Sequence, residues 1–294
     1  MDFPVIDLLP EGWNWTLLWA ACLILVLLLV VVMTLFGAHP WAHTTADRID
    51  QYHHEQCETV DTSGAFVQLM NFWSNFAYLA AGLLILSRSD FAFGKAIGCV
   101  LIALAIGSGW FHGTLTEFGQ TVDMIGVYCA LLVMILYAML KVMSIPSGGT
   151  AAWILFIVFM TLGWFAGLLR TKVHFFDSDY FTPLLVGLLF IYMVVEAIGS
   201  IDWSQSGFIY FAWKTDWRPV LIWTSLALAS GLVAVIFKFT DGSKNLFANH
   251  GGDYNKCLYG HDSLIQGHAL WHLFSAVMFV SIFEYIRATS DRIT

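Results

Sequence analysis

The sequence predicts an all-α integral membrane protein: a core of seven transmembrane helices preceded by one additional N-terminal transmembrane helix, eight spans in all. Three observations predict it. Of 294 residues, 59% are hydrophobic and only 12% charged, against about half apolar and a quarter charged in an average soluble domain. Mean hydropathy is +0.73, which leaves too little polar surface to cover a water-soluble globule. Finally, the apolar residues are gathered into runs of the roughly 20 residues that a bilayer core requires.

By hydropathy these runs cover 14–36, 66–87, 93–113, 120–141, 150–170, 181–200, 218–238 and 263–286. The first is almost entirely aliphatic. Its flank, MDFPVIDLLPEGWNW, is acidic and lacks the basic segment of a cleaved signal peptide, so the run reads as an added anchor. Residues 1–44 form that tail and helix, and 45–294 form the seven-helix domain. Connections are short except at 37–65, 201–217 and 239–262, and Gly and Pro punctuate several, as in Ile145-Pro146-Ser147-Gly148-Gly149. The sequence shows neither an internal repeat nor a low-complexity tract. Net charge is −8 and the 13 Lys and Arg are scattered singly, which argues against a nucleic-acid partner. Protein partners are not legible.

Sidedness rests on weak signals. With eight spans both termini share a side, which carries Arg88, Lys95, Lys141, Lys214, Arg218, Arg287 and Arg292. The other side carries Arg48, Arg170, Lys172, Lys238, Lys244 and Lys256. Seven against six decides nothing by the positive-inside rule. Cys22, Cys99 and Cys129 lie within apolar runs and read as small hydrophobes. Cys57 and Cys257 lie in two long loops on one face, either as two free thiols or as a disulfide, which would need a periplasmic or lumenal compartment. On the latter reading both termini are cytoplasmic, in a bacterial inner membrane or an ER or Golgi membrane.

Ionisable residues inside a membrane are costly and mark function by default. The third span ends Gly107-Ser108-Gly109-Trp110-Phe111-His112, with Ser108 and His112 four apart on one helical face. Asp123 opens the fourth span. The eighth opens Gly267-His268-Ala269-Leu270-Trp271-His272, and the i,i+4 pair His268 and His272 lets two imidazoles share one metal ion. The direction of each span puts all four ionisable groups at one depth, near the face opposite the termini. Three imidazoles with an open fourth position define a catalytic zinc site, with Asp123 as the available general base and Ser108 beside the reacting oxygen. Two other readings remain: histidines that hydrogen-bond helices together, and a proton relay in a carrier.

The segments Gly107–Leu115, Asp123 and His268–His272 resemble the alkaline ceramidases, part of a wider superfamily of seven-helix membrane hydrolases that includes adiponectin-receptor-like proteins. Cys57-Glu58 and Asn71-Phe72-Trp73-Ser74-Asn75 resemble the ceramidase entry into the first core helix. The resemblance covers about 55–286. It implies zinc held by His112, His268 and His272, with Ser108 and Asp123 at the reacting centre. It also implies hydrolysis of the N-acyl amide of a ceramide-type membrane lipid to a sphingoid base and a fatty acid, and a disulfide between Cys57 and Cys257. The family's calcium cluster would fall on Glu55, Glu58 and Asp61. Here Gln68 stands where the family has Glu, so the set has lost a carboxylate and the case for calcium is weakened. The extra first helix is a second departure.

Other residues have plainer readings. His53, His54 and Cys57 form a metal cluster only if the thiol is free. Glu196 either lines a cavity or ends its helix near the interface. Asn71, Ser74 and Asn75 tie helices together and support the site from behind. The 13 Trp and 10 Tyr read mostly as interfacial belts. Beside the amidase, two alternatives are a receptor or lipid-binding protein on the same zinc-containing fold, and a zinc hydrolase of another lipid ester or amide.

Overall fold

The computed structural model describes residues 58–62, 64, 66–199, 217–240 and 265–289. The predicted first helix, Glu55, Cys57 and Cys257 lie outside these residues, as do His53 and His54. Among the described residues the chain is helical, without strands: α1 (Leu69–Ser74), α2 (Phe76–Arg88), α3 (Ala92–Thr114), α4 (Glu117–Val142), α5 (Thr150–Leu169), α6 (Ser178–Gly199), α7 (Trp217–Thr240) and α8 (Gly267–Thr289). A short 3₁₀ turn, His174–Phe176, leads into α6.

Seven segments are long and apolar enough to cross a membrane, with Leu69–Arg88 counting as one span across the turn at Asn75. The chain is thus a multi-pass membrane protein. The last span starts at Gly267, four residues later than its hydropathy suggested, so His268 stands in its first turn. The apolar exposed faces fit a lipid surround: Ile154, Ile157, Trp164 and Phe165 of α5 and Ile191 and Val195 of α6 all point outward.

Neighbouring spans pack in chain order, α2 on α3, α3 on α4, α4 on α5, and α7 on α8. Helix α8 then returns to pack against α1 and α2, which closes the bundle. Small residues permit the closest approaches. A Cβ on Gly82 would lie 2.7 Å from the Gly98 carbonyl oxygen, so α2 and α3 touch backbone to backbone there. Within the core sit Tyr128, Met134, Phe283 and Tyr285, all fully buried. Tyr128 donates to the Phe176 carbonyl at 2.6 Å, and Tyr78 to or from Ser275 Oγ at 2.6 Å. These three tyrosines are core residues with satisfied or enclosed hydroxyls and not members of an interfacial belt.

The α3–α4 hairpin is tight. Leu115 ends α3 in the left-handed region, at φ 49°, and its side chain is fully buried against Val67 and Phe111. That burial offsets the strain of a non-glycine residue there. Thr116 caps α4, its Oγ1 accepting from Gly119 N at 3.1 Å. Glu117 in the first turn complements the helix dipole.

At the opposite end of α8 lies a buried charge cluster. Glu284, 2% exposed, pairs with Arg88 at the end of α2 and with Arg287 one turn on, whose Nη2 lies 2.7 Å away. Lys141 sits over the Tyr285 ring at 5.1 Å.

Candidate metal centre

The three predicted histidines meet. His112 comes from the last turn of α3, and His268 and His272 from the first two turns of α8. Ring centroids are 5.0 Å apart for His112–His268, 5.1 Å for His112–His272 and 4.7 Å for His268–His272. One nitrogen from each lies within 4.8 Å of the others. Among the described residues this is the one grouping of three His, Cys, Asp or Glu so arranged. The position therefore fits one metal ion shared by two helices.

Hydrogen bonds behind the rings settle which nitrogens face inward. Gln68 Oε1 lies 2.8 Å from His112 Nδ1. A carboxamide oxygen only accepts, so Nδ1 carries the proton and Nε2 presents its lone pair. His112 Nε2 is buried with no hydrogen-bond partner among the described residues, as a metal-ligating nitrogen should be. Ser74 Oγ lies 2.7 Å from His272 Nδ1 and donates its own proton to the Asn71 carbonyl at 2.8 Å. With that proton committed, the hydroxyl accepts from Nδ1–H, and Nε2 of His272 is again the free nitrogen.

Asp123 and Ser108 form the second part of the site. Both are buried, the Ser108 side chain is the carboxyl's hydrogen-bonding neighbour, and Asp123 Oδ1 has no hydrogen-bond partner among the described residues. Two side chains bridge the parts. Tyr78, 2% exposed, packs its ring 5.4 Å from that of His272 and lies in the field of Asp123. Lys238, in the last turn of α7, sits 5.1 Å over the Trp271 ring and acts electrostatically on His268, His272 and Asp123. Arg170, at the end of α5, is a further cation near Asp123 and donates to Gln120 Oε1 at 2.9 Å.

Of the supporting residues read from sequence, Ser74 touches a histidine, while Asn75 Nδ2 donates to the Asn71 carbonyl at 2.8 Å. The Asn71 side chain is buried with both polar atoms unpartnered among the described residues. Of the proposed calcium residues, Glu58 places its two carboxyl oxygens on the backbone N–H groups of Met70 and, at 2.9 Å, Asn71. It caps the start of α1. Burial pushes its pKa up to about 7, against the lowering effect of those two donors. Asp61 is exposed and accepts from Gly64 N at 3.0 Å.

Sequence reasoning missed Gln68 as a histidine partner, and also Tyr78, Lys238 and Arg170. Gln68 precedes α1 in an extended conformation, so helical periodicity carried no signal for it. The cations, at the ends of their spans, were counted only toward sidedness. No protein-family model matches the chain, and no match is found among curated proteins.

Proposed function

We propose that the chain is a zinc-dependent intramembrane amidase that hydrolyses the N-acyl bond of ceramide-type lipids to a sphingoid base and a fatty acid. The observation that carries the reading is the histidine triad, with His112 and His272 buried and His268 half-buried, beside a buried carboxyl, Asp123, inside a multi-pass bundle. Three imidazoles suit zinc and not an oxygen-seeking ion such as calcium. The choice of an amide of the ceramide type comes from the resemblance carried by Cys57-Glu58 and Asn71–Asn75.

His112, His268 and His272 would hold the ion, which when bound supplies Lewis acidity toward water and the acyl carbonyl. Asp123 takes a proton from the attacking water and delivers it to the leaving nitrogen, so one C–N bond breaks, one C–O bond forms and amine and carboxylic acid result. Ser108 holds the Asp123 carboxyl in place for both transfers. An apolar groove of about 450 Å³ between α1–α2 and α8, lined by Met70, Trp73, Ala77, Leu270 and Leu273, borders Ser74 and suits an acyl chain. The site lies at the end of the bundle opposite Arg88 and Glu284. In the reading with cytoplasmic termini it faces the periplasm or lumen.

The test is metal content by mass spectrometry on the detergent-purified protein, paired with fatty-acid release from ceramides. About one zinc per chain is expected, with metal and hydrolysis both lost in His268→Ala. A folded wild type without metal overturns the reading.

A further inference from the structure

We propose that Gln68 and Ser74 are the positioning residues of the metal centre, and that as uncharged acceptors they set how tightly the ion is held. The inference rests on the metal reading above and goes beyond it. Two ligands from different helices, His112 on α3 and His272 on α8, are each oriented by a residue of one short stretch, 68–74, which itself contributes no ligand.

Gln68 is fastened to the same histidine twice. Its backbone N–H donates to the His112 carbonyl at 3.0 Å while its Oε1 accepts from Nδ1. Next to it, Val67 N–H donates to the Gly113 carbonyl at 3.2 Å. The backbone pairing holds the Gln68 Cα beside the end of α3 and keeps the carboxamide within reach of the ring. Ser74 is fixed by its bond to the Asn71 carbonyl one turn back. Both acceptors are buried or half-buried, and neither has a charge.

The partner of the outer ring nitrogen controls the orientation of an imidazole and its strength as a donor. A carboxylate there pulls the Nδ1 proton and makes Nε2 a stronger ligand; an amide or hydroxyl does so less. With neutral partners on two of three histidines, Asp123 is the carboxylate beside the triad among the described residues. The ion keeps more of its charge for the substrate and is held less tightly.

The experiment measures zinc affinity by chelator competition on the intact protein in detergent, with the absorption spectrum of the cobalt-loaded protein as a second readout. Gln68→Leu should weaken zinc about 10–100-fold, and Gln68→Glu should tighten it beyond wild type and shift the cobalt bands. A packing role alone would move both variants the same way. Should the buried carboxylate of Gln68→Glu prevent folding, the pair Ser74→Ala and Ser74→Thr takes its place, with loss expected in the first and near wild-type affinity in the second. Zinc affinities of Gln68→Leu and Ser74→Ala within twofold of wild type, or equal losses in Gln68→Leu and Gln68→Glu, overturn the proposal while leaving the metal reading intact. A wild type that binds no zinc overturns both.

Discussion

Helix α8 carries a buried polar cluster at each end, and the two are built on opposite terms. At its C-terminal end Glu284 has its carboxylate enclosed by Arg88 and Arg287, and the charges answer one another. At its N-terminal end His112 Nε2, Asp123 Oδ1 and Gln68 Nε2 are buried with no hydrogen-bond partner among the described residues. Buried polar groups are normally satisfied, and exceptions call for an explanation. The first cluster is complete within the protein and serves the fold. The second holds unpaired atoms among the described residues, and on the proposed reading a metal ion and a substrate would complete it.

Substitutions should separate the two ends. Asp123→Asn is expected to have the largest effect, a loss of about 10²–10⁴-fold in hydrolysis with zinc content unchanged; full turnover would remove Asp123 from the proton path. At the other end Glu284→Gln strips the charge that two arginines share. Thermal unfolding in detergent should show a cost of about 3–5 kcal/mol, while zinc per folded chain stays at the wild-type value. Metal loss in folded Glu284→Gln would mean that the ends are coupled and the contrast is false.

A smaller effect belongs to Glu58, which shares the segment that orients His112. Its raised pKa means that the folded state holds the proton more firmly than the unfolded one. The associated stability is present below the ordinary carboxyl value near 4.5 and is lost as pH rises through about 7. Unfolding temperature should therefore fall between pH 4.5 and 7, and Glu58→Gln should flatten that slope. An unchanged slope would place the titration elsewhere.

The spans were legible because hydropathy is a property of each residue summed along the chain, and lipid leaves few alternatives to a helix. His112, His268 and His272 were legible for a second reason: i,i+4 spacing and the alternating direction of spans fix face and depth without any knowledge of packing. Partners across helices were not. Gln68 meets His112 only because the approach to α1 pairs with the end of α3, and Tyr78 reaches His272 only because α8 returns to α2. Lys238 read only as a charge at the end of its span, whereas α7 carries it over Trp271. Such contacts depend on which helix neighbours which, and periodicity does not record that.

The division of ligands between α3 and α8 also bears on time. His112 precedes His268 by 156 positions, and a ribosome delivers residues in that order. A chain whose first six described spans have entered the membrane already holds Ser108, His112 and Asp123, yet owns a single imidazole of the three. The other two arrive together, on one turn of the last described helix, when the bundle closes. On the proposed reading the nascent chain would have no complete metal centre until that moment, and its activity toward the surrounding lipids would begin with assembly.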